Sequence, residues 1–423
     1  MVLTYYCDMI QIDSGEWLLF NVLTGNVITV SDQVHEYLIS EDYHKLTKNE
    51  IKVLKEYGFI TNSHEDEVKK LEEKLLKMKY DDDSLVVTIL TNMDCNLGCK
   101  YCHENGLMNY KYLDDEEIIK INNWLTSQVE KYHYKKMTIY FYGGEPTLNL
   151  KAIETISSHV SNLAKKYKLK YNFSMSTNGT LLNDDMVRRL INAKVCDVQM
   201  TLDGPREIHD YRKPFLDGTG TFDVILENIK KYHDKLNITI RANVDKNNYN
   251  SIPKLMDAIV ENDLHNKTCF YLDLISSTHK KNDYCSNFVF TTMDEMASIV
   301  FLWEEQKRRG IPLQGKNVIE GLCGNLSRAN VTISSSGEIY ICPGLCGISD
   351  ACIGDLDKGY NEVFDKMMNT NVWENCKTCK YLPMCAGGCR AQAYMKSGSC
   401  FSCYCKKAYY EATVMKYLKC KYE

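Results

Sequence analysis

The amino-acid sequence predicts an α/β protein whose central sheet is mainly parallel, with a small mixed unit before it and a Cys-rich segment after it. Six β-rich runs alternate with six helical patterns between residues 85 and 309. This alternation is typical of a parallel sheet, either doubly wound or curved into a partial (β/α)6 barrel of the TIM type. Twelve of the 19 cysteines lie between Cys323 and Cys420, where the alternation has ended.

Composition excludes several classes of protein. The chain has 423 residues, 44% of them hydrophobic and 25% charged, which is typical of a soluble globular protein. A net charge of -5 gives no support to a nucleic-acid binder. The apolar runs are too short to span a membrane, and residues 1–8 lack the features of a secretion signal. We therefore expect a cytoplasmic protein, and in that reducing compartment clustered thiols indicate metal binding.

The N-terminal unit covers residues 1–83 and shows the pattern of a winged helix. Residues 16–30 contain two β-rich runs around a Thr24-Gly25-Asn26 turn, which predicts a hairpin. A short helix to Ile39 follows, and the capping box Thr47-Lys-Asn-Glu50 opens a second helix to about Tyr57. Residues 59–60 predict a short strand, and residues 65–79 predict a charged amphipathic helix.

The barrel unit is expected over residues 84–280, with a bridging segment at 281–320. Its predicted strands are Leu85–Leu90, Met137–Tyr142, Tyr171–Ser176, Val195–Leu202, Ile238–Val244 and Phe270–Ile275. The helical patterns lie near residues 114–131, 150–166, 184–193, 222–233, 252–262 and 293–309. Chemistry in such folds is found at the carboxyl ends of the strands.

Three cysteines follow the first of these strands as Cys95-Asn-Leu-Gly-Cys99-Lys-Tyr-Cys102. Soft thiolates at this spacing can hold one iron–sulfur cube, and three ligands for four irons leave one iron open to an exogenous ligand. The alternative is three buried or zinc-binding cysteines, for which zinc would need a fourth ligand such as His103. The spacing therefore predicts a catalytic iron–sulfur site.

This motif resembles the signature of radical S-adenosylmethionine (SAM) enzymes, and later strand ends carry further similar segments. Residues 142–146, Tyr-Gly-Gly-Glu-Pro, resemble the element of that family that holds the methionine amine of the cofactor. Residues 176–179, Ser-Thr-Asn-Gly, and residues 201–212 resemble segments that contact its ribose and carboxylate. The resemblance implies that these residues bind the cofactor: Tyr101, Gly143, Gly144, Glu145, Ser176, Asn178, Thr201 and Arg212. The spacing to Arg212 is one residue shorter than usual, so Lys213 is an alternative.

A second set of cysteines occupies residues 321–423. The order is Cys323-x13-Gly-x4-Cys342, then Cys376-x2-Cys379-x5-Cys385-x3-Cys389, then Cys405 after a tyrosine. Seven thiols exceed the needs of one zinc ion, although two zinc ribbons are an alternative. The spacing resembles the SPASM extension of radical SAM enzymes, which carries two auxiliary iron–sulfur clusters. The resemblance implies one cluster on Cys376, Cys379, Cys385 and Cys405, and another on Cys323, Cys342 and Cys389.

The sequence leaves the identity of some cluster ligands unassigned. The fourth ligand of the second of these clusters is Cys346 or Cys352, or the position is open to a substrate thiolate. Cys400 and Cys403 compete with Cys405. The remaining cysteines are expected to be small buried hydrophobic residues, namely Cys7, Cys196, Cys269, Cys285 and Cys420. The implied cofactors are SAM and three [4Fe-4S] clusters, one catalytic and two auxiliary.

The resemblance implies an oxidoreductase in which cleavage of the cofactor releases a 5'-deoxyadenosyl radical that takes a hydrogen atom from the substrate. SPASM enzymes mostly modify peptides or proteins, and the N-terminal unit resembles the leader-recognition (RRE) domains of maturases that act on ribosomally made (RiPP) peptides. Such domains capture the leader as an added strand. We therefore expect a thioether-forming maturase of the sactipeptide or ranthipeptide type. Its partners would be a precursor peptide, with its leader on the N-terminal domain, and a low-potential electron donor of the flavodoxin or ferredoxin type.

Three other functions are considered. A sulfatase-maturing, formylglycine-forming enzyme is similar in the segment 201–212, but that family has an Asp directly after the second SPASM cysteine, where this chain has Pro343. A maturase that forms carbon–carbon crosslinks is another possibility. Outside enzymes, an iron–sulfur redox sensor with a DNA-binding winged helix is disfavoured by the negative net charge.

Overall fold

The computed structural model describes residues 1–81, 83–102, 104, 111–275, 288–314 and 324–423. His103, Cys285 and Cys323 therefore lie outside the described residues, as do residues 281–287 and 315–320 of the expected bridging segment. Within the described ranges, no helix is both long enough and apolar enough to cross a membrane.

The N-terminal unit contains two small antiparallel sheets and three helices. Its elements are β1 (Val2–Leu3), β2 (Cys7–Gln11), β3 (Trp17–Asn21), β4 (Val27–Val30), α1 (Asp32–Ile39), α2 (Lys48–Glu56), β5 (Ile60–Thr61) and α3 (His64–Lys79). One sheet has the order β2-β3-β4, and the other pairs β1 with β5. The hairpin and the three helices are present at the predicted places, whereas β1 and β2 are additional strands.

Helix α2 begins where its capping residues predict. Thr47 Oγ1 accepts a hydrogen bond from Glu50 N at 3.2 Å, and Glu50 Oε2 accepts one from Thr47 N at 2.7 Å. This reciprocal pair satisfies two main-chain donors that the first helical turn leaves free. The helix buries Leu54 in a small core with Leu19 and Phe59, separate from the main core of the protein.

The barrel unit follows the predicted β-then-α order. Its strands are β6 (Ser84–Leu90), β7 (Lys136–Tyr142), β8 (Lys170–Ser176), β9 (Asp197–Thr201), β10 (Asn237–Val244) and β11 (Cys269–Leu274). Its helices are α4 (Asp115–Tyr132), α5 (Leu150–Tyr167), α6 (Asp184–Asn192), α7 (Arg206–Arg212), α8 (Phe222–Tyr232) and α9 (Ile252–Glu261). Each strand pairs in parallel with the next one in the chain. The strands therefore stand in chain order, as a partial barrel requires, and their carboxyl ends meet at one edge.

The sheet continues beyond the first strand into the C-terminal region. β12 (Asn330–Ile333) pairs in parallel with β6, and the antiparallel strands β13 (Glu338–Tyr340), β14 (Cys352–Asp355) and β15 (Gly359–Tyr360) extend the sheet further. Together these strands and β6 to β11 form a ten-stranded sheet. The Cys-rich region is thus joined to the barrel by main-chain hydrogen bonds.

The remaining helices pack beside this sheet. The pattern near 293–309 forms two helices, α10 (Met293–Ala297) and α11 (Ile299–Arg308), because Ser298 Oγ donates to Glu295 O at 2.6 Å at the junction. The chain ends with α12 (Glu362–Asn369), α13 (Leu382–Cys385), α14 (Arg390–Ser397) and α15 (Lys407–Tyr422). Helix α15 packs against α10, α11 and β2.

Candidate active site

The three cysteines predicted to hold the catalytic cluster lie on the loop at the carboxyl end of β6. Cys95, Cys99 and Cys102 all line one cavity of ≈ 370 Å³. The loop is held in place because Gly98 N donates to Pro214 O at 2.8 Å. Burial raises the pKa of the Cys95 thiol to about 12. Metal binding at this thiol would therefore displace a proton.

Two glycines allow the loop after β7 to lie against the cysteine loop. A Cβ atom on Gly143 would lie 2.3 Å from Asn92 O, and one on Gly144 would lie 2.1 Å from Asp94 O. Gly143 also has φ of +131°, which residues with a side chain rarely adopt. Both glycines line the cavity with their main chain.

Glu145 lies behind the cavity wall and is completely buried. Its carboxylate accepts hydrogen bonds from Thr177 Oγ1 at 2.7 Å and from Asn178 N at 2.7 Å. Burial raises the pKa of the Glu145 carboxyl, and these hydrogen bonds partly offset that effect. In the structure Glu145 positions the loop after β8 and does not line the cavity.

The next two strand ends place polar groups on the cavity wall. Ser176, Asn178 and Thr201 all line it. Asn178 Nδ2 lies 3.9 Å from Cys95 Sγ and donates to Asn96 Oδ1 at 2.8 Å, so the amide links the two loops. The structure thus brings these three predicted residues together with the cysteines.

Arg212 and Lys213 occupy different environments. Arg212 is buried and forms an ion pair with Asp245 at 2.7 Å, and its guanidinium lies 4.8 Å from the centre of the Tyr101 ring. Lys213 lines the cavity with Tyr101, and its Nζ donates to Cys99 Sγ at 3.6 Å. The structure therefore favours Lys213 as the cavity cation, and it places Arg212 in a supporting position behind Tyr101.

Several residues of the cavity wall were not predicted from sequence. Gln199, Arg241, Asn243 and Asp273 project from β9, β10 and β11, and Arg241 forms an ion pair with Asp273 at 2.6 Å. Alternate residues of a strand point to the same side, so Gln199 with Thr201 and Arg241 with Asn243 face inward together. Polar residues at alternate positions near strand ends are the signal that could have identified them.

A larger cavity of ≈ 1030 Å³ continues from the first one. The two share Gln199 and Asp273 in their walls. The larger cavity is enclosed by the barrel strands on one side and by the Cys-rich region on the other, where Cys389 and Tyr404 line it. The larger cavity thus adjoins the first cavity and has Cys389 in its own wall.

The Cys-rich region gathers its thiols in two places. Cys376 Sγ lies 3.7 Å from Cys403 Sγ. Burial and the neighbouring thiols of Cys403, Cys379 and Cys385 raise the pKa of Cys376 to about 12. Burial also raises the pKa of Cys385 to about 11, with a smaller contribution from Cys405. The structure therefore supports Cys403 as an alternative to Cys405 as a ligand. The third candidate, Cys400, is buried and donates to Asp350 O at 3.3 Å.

The other auxiliary set includes Cys342, which is buried and precedes Pro343 and Gly344 on the wall of the first cavity. Of its candidate fourth ligands, Cys346 donates to Cys342 O at 3.9 Å and Cys352 donates to Gly354 O at 3.4 Å. Across the described ranges, no three His, Cys, Asp or Glu side chains converge closely enough to hold a single metal ion.

One expectation for the remaining cysteines is wrong. Cys269 is exposed and lines the larger cavity, because it is the first residue of β11 at the edge of the sheet. Cys420 is buried as expected, and Cys7 and Cys196 are half-buried.

The first cavity fits a SAM molecule with an iron–sulfur cluster. Its donor set is three soft thiols, which leaves one iron of a cube without a protein ligand. Around it are main-chain groups of two glycines, the hydroxyls of Ser176 and Thr201, and the cation of Lys213. The fold and the site thus define an α/β enzyme that binds a cluster and a cofactor at the carboxyl edge of its parallel strands.

A family model and several curated proteins match parts of this chain. Residues 89–259 match the sequence model of the Radical SAM superfamily. The radical SAM cyclopropyl synthase TigE of Paramaledivibacter caminithermalis is 22% identical, over 94% of this chain and 91% of that protein. A cysteine-type anaerobic sulfatase-maturating enzyme of Clostridium novyi is 25% identical, over 76% of this chain and 93% of that enzyme.

Solved structures share the fold. AnSMEcpe with bound AdoMet superposes with a TM-score of 0.59 at 20% identity, over 80% of this chain and 96% of that one. Streptococcus suis SuiB bound to precursor peptide SuiA has a TM-score of 0.56 at 16% identity, over 96% of this chain and 99% of that one. Residues 89–259 of this chain are thus a Radical SAM domain, and the domain family implies SAM and a [4Fe-4S] cluster as cofactors.

Proposed function

We propose that this protein is a radical SAM maturase that joins a Cys sulfur to a carbon atom within a ribosomally made precursor peptide. The extent of the comparisons carries this proposal. TigE and the peptide-bound SuiB match 94% and 96% of the chain, which includes most of the N-terminal unit. The sulfatase-maturating relatives match only 70–76% of it.

The two connected cavities support a bond between sulfur and carbon. Cys389, a proposed ligand of one auxiliary cluster, lines the larger cavity, and Pro343, which follows the proposed ligand Cys342, lines the smaller one. A peptide thiol held near this auxiliary set would lie on the path to the three-cysteine site. Thioether formation then removes one hydrogen atom from the carbon, which the radical takes, and one proton and one electron in forming the bond to the sulfur. The proton would go to solvent, and the electron would go to an iron–sulfur cluster held by the auxiliary cysteines.

SAM bound with a [4Fe-4S] cluster on Cys95, Cys99 and Cys102 supplies a radical that takes hydrogen from an unactivated carbon. The residues of the chain bind and orient the reactants. The glycine main chain, Ser176, Asn178 and Thr201 offer hydrogen bonds, and Lys213 offers a cation for a carboxylate. The Arg241–Asp273 pair, at the junction of the cavities, can bind the main chain of an extended peptide.

The N-terminal unit is the proposed site of leader binding. Its β2-β3-β4 sheet ends at β4, which can accept an added strand. The same sheet is tied to the Cys-rich region, since Asp8 forms an ion pair with Lys380 at 2.7 Å and Tyr6 Oη donates to Lys377 O at 3.1 Å. A leader bound to this unit would therefore hold the rest of the peptide close to the Cys-rich region. We propose that the enzyme works in the cytoplasm.

Two further reactions are supported by particular observations. The sulfatase-maturating relatives are 25–27% identical over 86–93% of their own length. Formylglycine formation is less favoured than thioether formation, however, because Pro343 lies on the cavity wall at the position where that family has an acidic residue. Carbon–carbon bond formation is the other candidate, because TigE is named as a cyclopropyl synthase.

Co-expression with any short Cys-containing peptide encoded beside the gene tests the proposal. We expect the intact mass of one peptide to fall by two hydrogens per modified Cys, and that thiol to resist alkylation. The Cys95→Ala variant is the control and should leave the peptide unchanged. Replacement of sulfur by oxygen together with loss of two hydrogens at a Cys would indicate formylglycine instead. Loss of two hydrogens with all thiols alkylatable would indicate a carbon–carbon bond.

A further inference from the structure

The surface around the last cysteines is basic, although the protein has a net charge of -5. Residues 375–410 contain five Lys and one Arg and no Asp or Glu. Cys403 and Cys405 within this segment are exposed. Cys403 contacts Cys376, a proposed ligand of the auxiliary cluster that also includes Cys379 and Cys385. An iron–sulfur cluster held by these thiols would lie near the protein surface.

Four lysines surround these thiols and form, with Cys403 and Cys405, what we call the basic thiol patch. Lys396 Nζ lies 6.0 Å from the centre of the Tyr404 ring, and Lys366 Nζ lies 4.9 Å from the centre of the Phe401 ring. Lys406 and Lys407 follow Cys405 directly in the chain. The patch is thus continuous around the loop 400–407.

The lysines of the patch differ from neighbouring cations in their partners. Lys377 pairs with Glu72 and Glu374, and Lys380 pairs with Asp8. In the part of the chain that the structure describes, no carboxylate lies within ion-pair distance of Lys366, Lys396 or Lys406.

Several carboxylates border the patch. Lys407 reaches Glu411 of its own helix at 3.6 Å. Asp350 is near Cys400, which donates to its main-chain oxygen at 3.3 Å, and Glu362 and Asp365 precede Lys366 in α12. In the described ranges Lys366, Lys396 and Lys406 form no ion pair with any of these carboxylates, so their charges are available to an acidic partner.

We propose that the basic thiol patch is the docking surface of an acidic one-electron carrier of the flavodoxin or ferredoxin class. Unpaired lysines attract an acidic partner and orient it, and the exposed thiols place the redox centre at the contact. In each encounter the reduced carrier loses one electron and the iron–sulfur centre gains it, with no bond made or broken. The proposal rests on the iron–sulfur assignment of the Cys-rich region and is independent of the peptide substrate.

The test compares two double variants of the reconstituted holoenzyme. Lys366→Glu with Lys396→Glu reverses the charge of two exposed lysines of the patch. Lys165→Glu with Lys254→Glu is the matched control, because these lysines are exposed on the outer helices α5 and α9. Binding of oxidised flavodoxin is measured by calorimetry at low and high salt. Formation of 5'-deoxyadenosine is then measured with flavodoxin, its reductase and NADPH, and separately with titanium(III) citrate.

For the patch variant we expect flavodoxin binding and the flavodoxin-driven rate to fall by about tenfold or more at low salt, with a smaller difference at high salt. The titanium-driven rate and the control variant should stay within about twofold of the unmodified protein.

Unchanged flavodoxin binding would overturn the proposal. An equal loss of the 5'-deoxyadenosine rate with both reductants would also overturn it, because the lysines would then act on the cluster itself. Binding of duplex DNA but not of flavodoxin to the patch would overturn it too. A native protein inactive even with titanium(III) would refute the iron–sulfur assignment, which separates that failure from a failure of docking.

Discussion

Replacement of Gly144 by Ala tests the close contact between the loops after β6 and β7. The added Cβ would lie 2.1 Å from Asp94 O, whereas ordinary contacts begin at 3.4 Å, so one loop must move by about 1.3 Å. Overpacking of this kind costs about 1–3 kcal/mol. If the native loop arrangement is needed only to bind SAM, this cost lowers the affinity for SAM by about 5- to 150-fold. We expect SAM binding, measured by equilibrium dialysis on the reconstituted protein, to weaken within that range.

Gly98→Ala is the matched control on the cysteine loop. Its Cβ would meet Phe215 O at 3.8 Å, an ordinary distance, and neither Gly98 nor Gly144 has a positive φ. This variant should bind SAM as the native protein does and retain its iron. The reasoning is refuted if Gly144→Ala binds SAM with unchanged affinity, or if Gly98→Ala loses as much affinity.

Four further predictions concern buried or cavity-lining ionisable groups. Lys213→Met should weaken SAM binding about tenfold with little change in melting temperature, because its cation faces the cavity. Arg212→Met should instead lower the melting temperature, because it leaves the buried Asp245 without its ion pair, a loss of about 3–5 kcal/mol. Burial lowers the pKa of His209 to about 4, so histidine-selective NMR should show a neutral ring well below pH 6.5. The contribution of this neutral ring to the free energy of unfolding is fully present above pH 6.5 and is lost as the pH falls toward 4. Arg241→Gln should raise KM for the precursor peptide severalfold, whereas Arg189→Gln, which breaks a 2.6 Å ion pair with Glu154 outside the cavities, should not.

Each of these predictions has an opposing result. Equal effects of the Lys213 and Arg212 variants on SAM binding would contradict their different placement. A His209 ring that titrates near 6.5, identified by its absence in His209→Asn, would contradict its burial. A KM unchanged by Arg241→Gln would remove the ion pair from the proposed peptide path.

The sequence predicts the cysteine loop and the glycine loop because their chemistry is local. The spacing of Cys95, Cys99 and Cys102 places three thiols on one loop, and Gly143 and Gly144 follow a strand end. The choice between Arg212 and Lys213 is different. It depends on where α7 ends and on the buried Asp245, and neither is visible in the local pattern.

Long-range pairing accounts for much of what the sequence does not reveal. β12 pairs with β6 across about 240 residues of chain, and no local pattern marks that register. Strand β2 has two polar residues among five and is recognisable only through its pairing with β3. Likewise the exposure of Cys269 follows from its place at a sheet edge, which composition does not show.

The central claim is that this protein takes a hydrogen atom from a carbon of its precursor peptide and forms a thioether there. Fully deuterated precursor, incubated with the reconstituted enzyme, reductant and unlabelled SAM, tests it most directly by mass spectrometry. The account predicts 5'-deoxyadenosine with one deuterium, and a peptide that has lost one carbon-bound deuterium and one alkylatable thiol per bond. Unlabelled 5'-deoxyadenosine beside an unchanged peptide would contradict the claim.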